Sequence, residues 1–201
     1  MEKIDTLYIL YLLHVSSAST RYLCGESIVQ RVMKDYAHLQ WDRAAARNLA
    51  FAYLSSGNPE EAYKACKSVV DGDPSAAWKG ELAPAYWQTL LKLNRKQPLE
   101  AALGKAAASG DRFASASALT LRGDLILATE GDGPEALRKA LTEGYLRVAL
   151  MYRGKDVGPR VCPEALYKAA QCFEKLGLSG RVETMRSTLK KEFAASPWAA
   201  K

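Results

Sequence analysis

The stretch that most constrains this chain is residues 43–74, RAAARNLAFAYLSSGNPEEAYKACKSVVDGDP. Ala46, Leu49, Ala50 and Tyr53 recur at helical spacing and so share one face. Gly57 follows, able to take the left-handed conformation that closes a helix, and Pro59 can open the next helix because its missing N–H would have no partner there. Glu60 and Glu61 place negative charge at the positive end of that second helix. Its inner face is Ala62, Cys66 and Val69, and Asp73-Pro74 stops it. Two antiparallel helices joined by a tight turn are therefore expected.

The spacing Ala46-x2-Leu49-Ala50-x2-Tyr53, then Ala62-x3-Cys66, then Pro74 resembles the tetratricopeptide repeat, whose pattern is W-x2-L-G-x2-Y, A-x3-F and P. Ala46, Ala50 and Cys66 depart from the Trp, Gly and Phe of that pattern, yet each keeps a small or apolar side chain where helices approach closely. One such hairpin cannot bury its face alone, so the resemblance implies neighbouring repeats. From Ala50, the turn glycine is seven residues on and Ala62 twelve on. The same offsets run from Ala170 to Gly177 and Val182, and from Asp124 to Gly131 and Ala136. An Asp is odd at a close-packed position, and Gly123 with a turn one residue longer is the alternative. Trp87, Leu90, Asn94 and Leu99 mark another unit, and Ala50, Trp87 and Asp124 are evenly spaced.

The expected fold is all-α: a right-handed α-solenoid of about five antiparallel helix pairs. Residues 1–41 are expected as N-terminal capping helices, 42–152 as repeats, 153–162 as a loop and 163–201 as a C-terminal repeat. Within this scheme the helix pairs run over about 76–95 and 98–109, 112–130 and 134–152, and 163–177 and 179–194. Asp111 should cap the helix after the Ser109-Gly110 turn, and Asp42 the helix of the central repeat. The RGKDVGPRVCP stretch, with two Gly and two Pro, reads as the loop. At the end of the chain, Phe193-Ala194-x-Ser196-Pro197-Trp198-Ala199 resembles repeat endings in bacterial envelope-assembly repeat proteins.

The N-terminal MEKIDTLYILYLLHVSSASTRY reads two ways. Leu7 to Val15 is apolar enough for a signal-peptide core, but Glu2 and Asp5 spoil a positive leader and the run is too short to span a bilayer. A packed first helix in a cytoplasmic protein is the expectation, with export to the periplasm as the alternative. Cys24, Cys66, Cys162 and Cys172 form no C-x-x-C pair, which favours reduced structural thiols. His14 and His38 lack Cys, Asp or Glu at ligand spacing, and no phosphate-binding Gly loop follows a strand. No enzyme activity, metal or cofactor is expected. Nor is nucleic acid, because the basic residues interleave with acids and have no aromatic stacking residues grouped beside them.

Charge supplies the pointer to function. Residues 1–100 carry 12 Lys and Arg against 11 Asp and Glu, and residues 101–201 carry 16 against 11, which favours an acidic partner for the second half. In the family's architecture the concave surface is lined by first-helix residues pointing away from the close-packed positions. Carried onto this chain, these are Arg47, Asn48 and Phe51, then Gln88 and Lys92, then Arg122, then Lys168, Gln171 and Lys175. Five of the nine are cationic and none is acidic. The carboxylate-clamp subset of the family needs two Asn as well, and Phe51 and Ala85 stand there instead. The resemblance thus implies a non-catalytic scaffold holding an acidic extended peptide or helix in a basic groove. The alternative is a structural subunit that assembles with itself or an envelope complex through its convex or end surfaces.

Overall fold

The structure, a computed structural model, describes residues 43–154 and 156–200, and these are helical with no strand among them. The capping helices expected over 1–41, the Asp42 cap, His14, His38 and Cys24 lie outside the described residues. The chain divides into two compact units, Met1–Ala102 and Leu103–Lys201.

In the first unit, α1 (Arg43–Ser55) and α2 (Pro59–Gly72) pack as a hairpin, and α3 (Leu82–Lys92) packs on both. The expected inner residues Ala46, Leu49, Ala50, Tyr53, Ala62 and Cys66 are buried, and Val69 is half-buried. The hairpin closes at Gly57, where φ is 80°. Asn58 N–H donates to Tyr53 O at 2.8 Å and Gly57 N–H to Leu54 O at 3.3 Å, the pair of bonds that defines a Schellman closure. The same pair recurs at the end of α3, where Arg95 N–H donates to Leu90 O at 2.9 Å and Asn94 N–H to Leu91 O at 3.0 Å. Asn94 takes the glycine's place with φ 53°, a region Asn tolerates better than most residues.

α3 begins at Leu82, six residues later than the expected start near 76. The reason is Trp87, which stands where the first hairpin has Ala50 and is fully buried. Its Nε1–H donates to Ala77 O at 2.7 Å, so the backbone before α3 is drawn into a 3-10 turn at Pro74–Ala77. Gly80, with φ 77°, then redirects the chain into the helix.

The helix α4 (Lys96–Ala108) carries the chain from the first unit into the second. There α5 (Arg112–Glu130) starts at Asp111, whose Oδ1 accepts from Phe113 N–H and Ala114 N–H at 3.0 and 3.1 Å, the expected cap. Next come α6 (Pro134–Ala140), a π-turn (Leu141–Tyr145) and α7 (Leu146–Met151), continuous along 134–151. The last hairpin is α8 (Gly158–Lys175) with α9 (Ser179–Glu192), closed at Gly177 by the third copy of the same two bonds, Leu178 N–H to Phe173 O and Gly177 N–H to Glu174 O.

α8 starts at Gly158, so half of the expected 153–162 loop is helical. Pro159 costs nothing in the first turn. Pro163 lies inside the helix, where it leaves the Pro159 carbonyl without its i+4 donor. Two cores fill this unit. One joins Ile126, Leu137, Leu141, Tyr145, Cys172 and Phe173, and the other Ala116, Val148, Val161, Cys162, Leu166 and Leu189.

α5 and α8 run parallel. Arg112 pairs with Asp156 at 2.8 Å, Asp124 with Lys168 at 2.6 Å and Asp132 with Lys175 at 2.8 Å, so contacts advance together along both helices.

Candidate binding faces

The close-packed position of α5 is Gly123, not Asp124. A Cβ at Gly123 would lie 2.6 Å from the Tyr145 ring, and one at Gly144 would lie 2.9 Å from the Gly123 Cα and N and from Leu119 O. The two glycines let α5 and the π-turn meet backbone to backbone. The π-turn supplies the extra residue that brings both Gly144 and Tyr145 onto α5: Leu146 N–H donates to Leu141 O, five residues back.

Asp124, one residue along, is thereby free for another role. Tyr145 O–H donates to its Oδ1 at 2.8 Å, and Lys168 Nζ donates to its Oδ2 at 2.6 Å. Lys168 also pairs with Glu164 Oε1 at 2.6 Å, one helical turn earlier on α8. The side chains of Lys168, Asp124 and Glu164 are 20%, 22% and 31% exposed. Burial pushes the Asp124 carboxyl above the usual carboxylate range, and Lys168 and Tyr145 offset only part of that. At Lys168 burial alone would lower the ammonium, but Asp124 and Glu164 together outweigh it and hold it above its ordinary value. Lys168 therefore keeps its charge and Asp124 is the more weakly held one. Tyr145 is pushed far up by burial and then by the Asp124 charge, so it stays protonated and donates to Asp124.

The other expected binding residues lie in simpler surroundings. Arg122, on α5, donates through Nη2 and Nε to Glu143 Oε2 at 2.8 and 3.1 Å, and this pair is exposed. Lys175, at the end of α8, pairs with Asp132; the bond holds the Asp132 carboxyl below its usual range and Lys175 above its own. Gln171 Nε2 donates to Tyr167 O–H at 3.2 Å, and Tyr167 packs on Trp198 with ring centroids 5.2 Å apart. In the first unit, Arg47 pairs with Glu81 and donates to Asn48 Oδ1 at 3.0 and 3.1 Å. Phe51 and Lys92 are exposed, and Gln88 is half-buried.

Four of the five expected cations thus have a carboxylate partner. Sequence reasoning selected first-helix positions and found no acid among them. The partners stand elsewhere, on the π-turn (Glu143), in the turn after α5 (Asp132), before α3 (Glu81), and on the same helices two residues from Arg122 (Asp124) or one turn from Lys168 (Glu164). Asp124 is the member of this charged cluster that it missed, although an Asp at a nominally close-packed position was the available signal.

Comparisons with protein-family models, curated proteins and solved structures give no match. Among the described residues, no group of three His, Cys, Asp or Glu could hold a metal ion, and no helix is long and apolar enough to cross a membrane.

Proposed function

We propose that the chain is a non-catalytic protein-binding scaffold whose helix pairs stack in the tetratricopeptide manner and whose first-helix faces hold an acidic extended segment of another protein. The observation that carries the reading is the repeated closure at Gly57, Asn94 and Gly177, where three helices end in the same two backbone bonds at corresponding positions. The parallel course of α5 and α8 supports it, since the first helices of successive pairs run parallel in such an array. For the ligand, the support is in the exposed pairs. Arg122–Glu143 and Lys175–Asp132 lie at the surface, where solvent screens an ion pair and it exchanges readily with an incoming carboxylate.

The test is a fluorescence-anisotropy titration with a labelled oligo-aspartate peptide at low and near-physiological salt. Arg122→Gln with Lys175→Gln should weaken binding several-fold, and added salt should weaken it further. Equal binding by the parent and the double variant would remove the α5–α8 face as the site.

One observation favours the assembly reading. Leu150 and Met151, adjacent at the end of α7, are 76% and 59% exposed, more than large apolar side chains usually are. If this pair is an assembly contact, light-scattering mass will rise with concentration and Met151→Glu will abolish the rise.

A further inference from the structure

Resting on that reading, we propose that the α5–α8 face is a proton-linked anion site, in which Asp124 takes up a proton when the Lys168 ammonium turns from it to a ligand's anionic group. The argument begins with the charge of the cluster. Lys168 carries one positive charge and faces two carboxylates, Asp124 and Glu164, so with all three ionised the cluster is net negative. An acidic ligand approaching Lys168 meets that charge. Two of the three ammonium N–H donors are held by Asp124 Oδ2 and Glu164 Oε1, so a ligand that engages more than the third must displace one of them.

Of the two carboxylates, Asp124 is the one to yield. It is the more buried, and losing Lys168 would leave an ionised carboxylate there with Tyr145 O–H as its remaining donor. Leaving a buried charge unpaired costs more than neutralising it. A solvent proton on Oδ2 removes the charge, while Oδ1 goes on accepting from Tyr145. The cluster then becomes neutral and the ammonium is released to the ligand. The direction of the Asp124 shift agrees, its carboxyl already standing above the usual range because of burial.

The surroundings contain no group that would take the proton in its place. From the π-turn, Tyr145 faces Asp124 as a donor and Glu143 is engaged with Arg122. From α8 come Lys168, Glu164 and the Cys172 thiol, which burial raises to about 11. α6 carries Lys139, paired with Glu130, and the exposed Arg138, while α7 carries the exposed Arg147.

The experiment uses the full chain and a fluorescein-labelled oligo(cysteic acid) peptide, whose sulfonates stay ionised throughout the range. Its affinity is measured from pH 4 to pH 7 at constant ionic strength. The parent should bind more tightly as pH falls, approaching tenfold per pH unit where one proton is linked to one ligand. Asp124→Asn keeps an acceptor for Tyr145 and removes the titrating group. It should bind at pH 7 about as tightly as the parent at pH 4, without that slope. Tyr145→Phe removes a bond that favours the ionised carboxylate, so the midpoint should move to higher pH. A parent-like slope in Asp124→Asn overturns the proton linkage. If Arg122→Gln with Lys175→Gln still weakens binding in that case, the acidic-ligand reading stands without it. Absence of binding by both the parent and Asp124→Asn at every pH overturns both.

Discussion

Gly144→Ala tests the contact that organises the second unit. The added methyl would sit 2.9 Å from three backbone atoms, the Cα and N of Gly123 and the carbonyl oxygen of Leu119. Ordinary van der Waals contact begins near 3.4 Å, so α5 and the π-turn would have to part by about half an ångström. No rotamer change relieves this, because every atom involved is backbone. Overpacking of this kind costs about 1–3 kcal/mol. The replacement also gains about 0.5–1 kcal/mol, since Ala loses less conformational entropy than Gly within a helix. The net expectation centres on a loss of about 1 kcal/mol, or roughly 2–4 °C in Tm for a chain of this size. Gly104→Ala is the control: Gly104 lies within α4, and a Cβ there meets nothing within 4 Å, so the entropic gain stands alone and stability should rise. Differential scanning calorimetry of the parent and both variants reads the two effects with opposite sign. Equal or greater stability for Gly144→Ala would refute the backbone contact and, with it, the assignment of Gly123 as the close-packed residue of α5.

Lys168→Glu would gather three carboxylates around Tyr145, so it should destabilise by about 3 kcal/mol and lower the helix content read by circular dichroism; parent-like stability would mean that Lys168 is not held between Asp124 and Glu164. Trp87→Phe keeps most of the buried ring but removes the donor to Ala77 O, for an expected loss of about 1–3 kcal/mol by urea denaturation. Burial raises the Cys66 thiol to about 12 and those of Cys162 and Cys172 to about 11. In a Cys24→Ser background at pH 8, iodoacetamide should therefore label these three only after denaturant is added, as counted by mass spectrometry.

Most of the helix pairing was legible because turns and small residues act locally. Gly57 and Gly177 meet a conformational need that few other side chains satisfy, and a Pro or Ser two residues later opens the next helix. Asn94 is harder to read, since Asn tolerates positive φ without advertising it. Two misreadings came from residues whose effect depends on their partner. Trp87 moved the start of α3 because its indole N–H needs an acceptor when buried, and Ala77 O, ten residues earlier, is the one it reaches. The prolines of 153–163 suggested a loop, but Pro159 falls in the first turn of α8, where its missing N–H is harmless.

The charge of the proposed binding face was misread for a related physical reason. Periodicity assigns a side chain to a face of its own helix and says nothing of what the adjacent element brings to it. Arg122 and Glu143 are 21 residues apart, Lys168 and Asp124 are 44 apart, and Lys175 and Asp132 are 43 apart, so no local window contains these pairs, although Lys168–Glu164, one turn apart on α8, lies within one. The parallel course of α5 and α8 accounts for Lys168–Asp124 and Lys175–Asp132, at nearly constant offset, while Arg122–Glu143 joins α5 to the π-turn that follows it. One consequence concerns how the face is probed. Reversing the charges of Arg122 and Lys168 together adds like charge to Glu143, Asp124 and Glu164, so any loss of binding would be mixed with loss of fold. Neutralising the exposed members, Arg122 and Lys175, changes the ligand's electrostatics while leaving the half-buried Lys168 cluster intact. The separation is possible because the exposed pairs contribute little to stability and the half-buried cluster contributes more.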